Sequence, residues 1–248
     1  MAAATRGRYH YTQRGVAATV TTATNIVRML KARGNRRNVQ GMARFGISSR
    51  GRLGVSMPDI RRIAKETGRD HSLALRLWKS GIPDARIVAS IIADPERITS
   101  AEMDRWASEF DSWDVCDQVC INLFQHSPFA RRKIRAWAHR KEEFVRRAAF
   151  ALLACVAWHD EGAADTVFTG FLPLIRNAAA DERNFVRKAV NWALRNIGKR
   201  NLRLNREAIR TARDVMRMES RSARWIGADA LRELTNAQVH KRLRRRGQ

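Results

Sequence analysis

EFVRRAAFALLACV at residues 143–156 returns as NFVRKAVNWALRNI at 184–197, an offset of 41 residues. A weaker echo, ARWIGADALREL, begins at Ala223, some 37 residues further on, and ARIVASIIAD at 85–94 is fainter still. A helix pair recurring about every 40 residues, with an arginine followed by small residues and then Ala-Leu, is the pattern of HEAT-type solenoids. Each pair buries its apolar face only by stacking on its neighbours, and the stack presents a curved surface to a long partner. The expected fold is therefore all-α: a right-handed superhelical stack of HEAT-like helix pairs, an α-solenoid, with a concave basic face.

Helical periodicity begins near Thr24, and a helix through Met42–Arg44 runs into a loop rich in Gly and Ser. From Pro58 onward, short amphipathic helices are expected over 58–67, 71–80, 84–93, 99–110, 113–126, 128–139, 142–158, 163–180, 182–198, 205–218, 221–234 and 236–245. Gly68, Gly81, Asp94-Pro95, Ser127-Pro128 and Gly198 punctuate them. No run of useful length alternates as a strand would.

The charge is distributed unevenly. The 248 residues carry a net charge of +24, yet no acidic residue precedes Asp59, while eleven basic ones do, and five more follow Glu233 without an acid. Residues 1–22 are expected to form a basic, mobile arm, 23–235 the folded repeat domain, and 236–248 a basic C-terminal tail. A polyanion is the natural partner of such a chain. The plainer alternative is heavy arginine usage on solvated surfaces. Cys116, Cys120 and Cys155 are odd in number and lie in apolar helical stretches, which suits buried, reduced thiols in a cytoplasmic protein rather than a disulfide framework. No metal site is expected, because Cys116 and Cys120 lack partners beyond His126. No apolar run approaches membrane-spanning length.

Candidate site residues come from three helices. In EFDSWDVCDQVCINLF at 109–124, Trp113, Cys116, Cys120, Ile121 and Phe124 share one arc, and Asp114, Gln118, Asn122 and Gln125 another. Asp117 falls on the apolar side, between Phe124 and Ile121 and one turn beyond Trp113. A carboxylate placed there needs a cation, hydrogen bonds or a chemical task. In 142–158, Val145, Ala149, Leu152, Leu153 and Val156 face the core, and Arg147, Ala151, Ala154 and Trp158 line up on the opposite side. In 182–198, Val186, Val190, Leu194 and Ile197 face inward. Trp192 points away, flanked by Lys188 and Arg195, with Asn196 and Lys199 a turn on. An indole on a cationic stripe suits a nucleic-acid backbone. It is equally the pattern of a tryptophan shielded by Lys and Arg stems.

Taken in order, these segments resemble the AlkD-like DNA alkylation repair family, HEAT-like repeat DNA glycosylases, from about Met42 to about Leu234. The likeness rests on WDVCD with Trp113 and Asp117, the Arg-Ala-Ala helix with Arg147, AVNWALR with Trp192, and MARFGISSRGRLGVSMPDIRRIA as the family's entry loop. Where the best-known members carry two consecutive tryptophans, Ser112 here precedes Trp113. The resemblance implies hydrolysis of the N-glycosidic bond of N3- and N7-alkylated purines, such as 3-methyladenine and 7-methylguanine, in duplex DNA. Asp117 would be catalytic, and Trp113, Arg147 and Trp192 would form the lesion-facing cleft. It also implies action without base flipping, no cofactor, and a monomer acting at the nucleoid.

The chemistry suits those roles. Alkylation at N3 or N7 makes the purine a cationic, good leaving group. What remains to be stabilised is the positive charge spreading onto C1′, a task for a carboxylate. The alternative for Asp117 is a structural carboxylate capping or salt-bridging a neighbouring helix, with Arg147 a candidate partner. The alternative for the whole chain is a non-catalytic HEAT-repeat module that binds DNA or a protein.

Overall fold

The protein is described by a computed structural model over residues 21–246, and among these every regular element is a helix. Thr22 caps α1 (Ala23–Ala32) by accepting from the Asn25 amide, and Asn35 caps α2 (Arg36–Ala43). An irregular loop then leads to α3 (Met57–Thr67), which has Ser56 as its cap and Pro58 in its first turn, where the missing amide is harmless. α4 (His71–Trp78) and α5 (Pro83–Ile92) form an antiparallel pair. α6 (Ser100–Ser108) opens on a reciprocal capping box between Thr99 and Glu102. There follow α7 (Trp113–Asn122), α8 (Ala130–Trp137), α9 (Glu143–His159), α10 (Asp165–Thr169), α11 (Leu172–Ala178), α12 (Asn184–Gly198), α13 (Leu202–Met216), α14 (Arg221–Leu234) and α15 (Ala237–Arg246).

The stacking follows the sequence repeat. α5, α7, α9, α12 and α14 pack side by side in one row, and α4, α8, α11 and α13 pack against that row from the other layer. One apolar core runs between the layers from Ile26 to Leu234. At its aromatic centre Trp78 and Trp106 stack at 3.9 Å, with Phe124 and Trp137 packed beyond them. The buried indoles of Trp78 and Trp137 keep their N–H groups satisfied on the rim carboxylates Glu109 (2.9 Å) and Asp104 (2.8 Å).

Three expectations need correction. The helix expected over 163–180 is two short helices, because the chain turns at Gly170–Phe171 and restarts with Pro173 in the first turn of α11. The helix expected over 113–126 stops at Asn122 and continues as a 3₁₀ turn over Phe124–His126. The side of α9 opposite the core is not an open shallow surface: Arg147, Ala151 and Ala154 are buried, and only Trp158 is exposed, at 60%. α9 sits between α7 and α12 with α8 behind it, so a central solenoid helix is covered on three sides. Its small residues serve close helix packing.

The tail expected over 236–248 includes a docked element. α15 buries Leu243 and donates a hydrogen bond from His240 Nε2 to the Leu234 carbonyl (3.0 Å), leaving Lys241, Arg242, Arg244 and Arg245 exposed. The arm expected over 1–22 lies, up to residue 20, outside the described residues. No helix among the described residues is long and apolar enough to cross a membrane, and no cluster of His, Cys, Asp or Glu there has the makings of a metal site. All three cysteines are free and buried, and burial pushes the Cys116 and Cys155 thiols well above their ordinary range.

Candidate functional site

An open cleft of about 460 Å³ lies where the 44–56 loop meets α7, α9 and α12, lined by Arg44, Phe45, Gly46, Trp113, Arg147, Asn184, Phe185 and Lys188. Each wall has a local cause. Trp113 is the first residue of α7, so its side chain lies at a helix end instead of between turns. Its indole N–H donates to the Phe45 carbonyl at 3.0 Å, joining α7 to the loop. The Arg147 guanidinium stands 5.8 Å from the Trp113 ring centroid, and its Nη1 donates to the Phe185 carbonyl at 2.6 Å, at the start of α12. Phe185 in turn stacks on Phe144 of α9 at 5.6 Å.

Asp117 is next to this cleft but not on its wall. Arg147 donates to both carboxylate oxygens, Nε to Oδ1 at 3.0 Å and Nη2 to Oδ2 at 2.7 Å, a bidentate pair with 6% and 13% of the two side chains exposed. Burial pushes the Asp117 carboxyl above its usual range, while Arg147 pulls the other way. Burial would lower the Arg147 pKa, but Asp117 overcomes it and holds the guanidinium above its usual value. A bidentate pair between neighbouring repeats therefore answers the cost of placing Asp117 on the apolar side of α7. Both the structural and the chemical reading of Asp117 start from this pair.

The loop that carries Phe45 is locked in place. Arg52, with 2% of its side chain exposed, makes its own bidentate pair with Asp114 at 2.7 and 2.9 Å, and its Nε donates to the Ser48 carbonyl. Ser112, at the α7 N-terminus, donates to Asp114 (2.7 Å) and accepts from the Ser48 amide (3.3 Å). Ser112 thus fastens the loop to α7. Asp84, buried in α5, accepts the Leu53 and Val55 amides, both at 2.9 Å. Gly54 has φ +75° and lies so close to α2 that a Cβ would fall 2.4 Å from the Asn35 carbonyl oxygen.

Asp114, which the helical wheel puts on the polar arc of α7, therefore holds a buried arginine. Asp114→Asn is expected to cost on the order of 3 kcal/mol, seen in chemical denaturation, because it leaves Arg52 without a counter-charge. An unchanged denaturation midpoint would show that the loop does not depend on the pair.

The remaining predicted residues divide. Lys188 is exposed and lines the cleft. Trp192, one turn further along α12, is half-buried against the core and lies outside the cleft lining. Arg195 departs from the expectation of a cation free for DNA. It bridges to Glu233 at 2.5 Å and faces Asp229 at 3.7 Å, and Lys199 also pairs with Glu233, at 2.8 Å. Burial, which would raise the Glu233 carboxyl, is outweighed by Lys199 and Arg195, so Glu233 sits below its usual range. These charges join α12 to α14, and their partners lie 34 to 38 positions away, beyond the reach of a single helical wheel. Sequence reasoning missed Arg44, Phe45, Asn184 and Phe185. The glycines around Phe45 were the available signal, since Gly46, Gly51 and Gly54 all take positive φ.

Known proteins share the sequence family and the fold of this chain. The sequence model of a family described as "DNA alkylation repair enzyme" matches residues 26–234. A solved structure described as "a new family of proteins related to the HEAT-like repeat DNA glycosylases with affinity for branched DNA structures" superposes with a TM-score of 0.72 at 20% identity, covering 86% of this chain and 96% of that one. A designed armadillo repeat protein aligns over 72% of this chain and 92% of its own at 12% identity, but its TM-score of 0.33 carries no weight. No curated protein sequence matches significantly.

Proposed function

The chain belongs to the DNA alkylation repair enzyme family, and on that premise we propose that it excises cationic N3- and N7-alkylated purines, such as 3-methyladenine and 7-methylguanine, from duplex DNA. The observation that carries the reading is the meeting of Trp113, Asp117 and Arg147 beside a cleft whose exposed charges, Arg44 and Lys188, are positive.

In this reading Arg44 and Lys188 take backbone phosphates, and Trp113 and Phe185 give flat walls for sugar and base. Asp117 supplies the negative charge toward C1′ as the glycosidic bond lengthens, and Arg147 fixes its direction. The cationic base leaves as a neutral purine, and water completes hydrolysis at C1′. No cofactor is needed, and a monomer suffices. In the same reading Trp192, one turn beyond Lys188 on α12, contacts the duplex outside the cleft.

A second reading, a DNA-binding module without chemistry, is favoured by one observation: Arg147 bonds both oxygens of Asp117. The affinity for branched DNA described for the solved relative is of the same kind. Release of free alkylated base from methylated duplex separates the two, because the second reading predicts binding without release. Both readings predict strong salt dependence. If Arg44, Lys188 and the four exposed cations of α15 each neutralise one phosphate, duplex affinity should fall roughly a thousandfold between about 50 and 200 mM salt. Salt-insensitive binding in a fluorescence anisotropy titration would point to a protein partner.

A further inference from the structure

Phe45 is the most exposed large apolar side chain among the described residues, at 73%. A single exposed apolar residue on a loose loop needs no explanation. Phe45 is not on a loose loop. Its amide donates to the Met42 carbonyl at 3.0 Å, and its carbonyl accepts the Trp113 indole N–H at 3.0 Å. The next residue, Gly46, has φ +71° and sits against the Phe185 ring, where a Cβ would fall 2.8 Å from Cζ. Two residues on, Ser48 is tied by Ser112 and by Arg52, itself clamped by Asp114. The chain thus fixes the backbone on both sides of a phenyl ring and points the ring away from the core, with exposed Arg44 beside it.

Building on the DNA-cleft reading above, we infer that Phe45 is an apolar wedge that enters a base step of bound DNA at the rim of the cleft. A rigid apolar side chain flanked by cations is the device by which proteins part stacked bases, because the cations hold the backbone while the ring replaces the lost stacking. Separating the stack beside an alkylated purine opens the sugar to the cleft without rotating the base into a pocket. That suits a shallow site. The wedge must be held firmly to transmit force, which accounts for the number of restraints on so short a loop.

The test uses the full chain and a duplex in which adenines along its whole length are replaced by 2-aminopurine, whose fluorescence rises when it is unstacked. Any binding register then reports. The wild type is expected to raise the fluorescence about twofold or more at saturation. Phe45→Ala should bind with a Kd within about threefold of wild type yet lose most of that rise, and Phe45→Leu, which keeps an apolar wedge, should retain it. An equal rise in Phe45→Ala overturns the inference, as does a wild type that binds the duplex with no rise. Excision is a separate readout. Wild type that unstacks 2-aminopurine but releases no alkylated base contradicts the glycosylase reading alone. Release of base without unstacking contradicts the wedge alone. Failure of the wild type to bind duplex overturns both.

Discussion

Replacing Asp117 with asparagine is expected to slow release of alkylated purines by two to three orders of magnitude. At an effective dielectric near 20, a carboxylate about 4 Å from the developing charge on C1′ is worth roughly 4 kcal/mol, and the Arg147 cation, which lines the cleft, opposes it. The amide removes the favourable part and leaves the unfavourable part, so the loss approaches the full 4 kcal/mol, or roughly a thousandfold in rate. The same arithmetic makes the variant worse than removal of both charges: Asp117→Asn combined with Arg147→Met should recover part of the lost rate. Duplex affinity of Asp117→Asn should hold or rise, because Arg147 then faces a polyanion without its counter-charge. Single-turnover excision and anisotropy together read these outcomes. An Asp117→Asn protein that excises at the wild-type rate removes the carboxylate from the chemistry.

Arg147→Ala is expected to be the most destabilising single change at the site. It leaves a buried carboxylate without its cation, frees the Phe185 carbonyl that Nη1 satisfied, and opens the joint between α7, α9 and α12. Breaking a buried pair in this way costs about 3–5 kcal/mol, which for a chain of this size lowers Tm by roughly ten degrees. The pH dependence has a definite sign. Burial already raises the Asp117 carboxyl above its ordinary value in the presence of Arg147, and without the guanidinium the folded-state pKa rises further. A carboxyl with a raised folded pKa favours the folded state when protonated, and that advantage is lost as pH rises through the folded value. The deficit of Arg147→Ala relative to wild type should therefore shrink on acidification and widen toward neutral and alkaline pH, in paired thermal melts. A pH-independent deficit would show that Asp117 stays ionised without its partner. Excision by the variant should acquire an acid limb displaced upward for the same reason.

The extent to which the sequence foretold this molecule followed the range of the forces involved. The all-helical repeat was legible because the 41-residue echo and the 3.6-residue periodicity are local, and the inward faces of α9 and α12 are buried as their spacing requires. Asp117 was legible as an anomaly, a charge on an apolar arc, and its partner was foreseeable only as one of several possibilities. What a helical wheel cannot express is the third direction of a solenoid, the sideways stacking of one repeat on the next. That direction buried Ala151 and Ala154, tied Arg195 to Glu233, and made Asp114, on the polar arc of its wheel, the counter-ion of Arg52, 62 positions earlier. The loop around Phe45 was seen as a glycine-rich connection. Its fixed shape depends on Asp84, Ser112, Asp114 and Trp113, contributed by two later helices.

The central claim, that this cleft performs glycosidic bond cleavage, is met most directly by a single-turnover assay with protein in excess over methylated duplex DNA, quantifying free 3-methyladenine and 7-methylguanine against spontaneous depurination. The proposed function predicts release of these bases by the wild type well above the spontaneous rate, with the DNA strand left carrying abasic sites, and near-spontaneous release by Asp117→Asn. Tight, salt-sensitive binding of the wild type with release no faster than the spontaneous rate would contradict it and identify the chain as a DNA-binding member of its family.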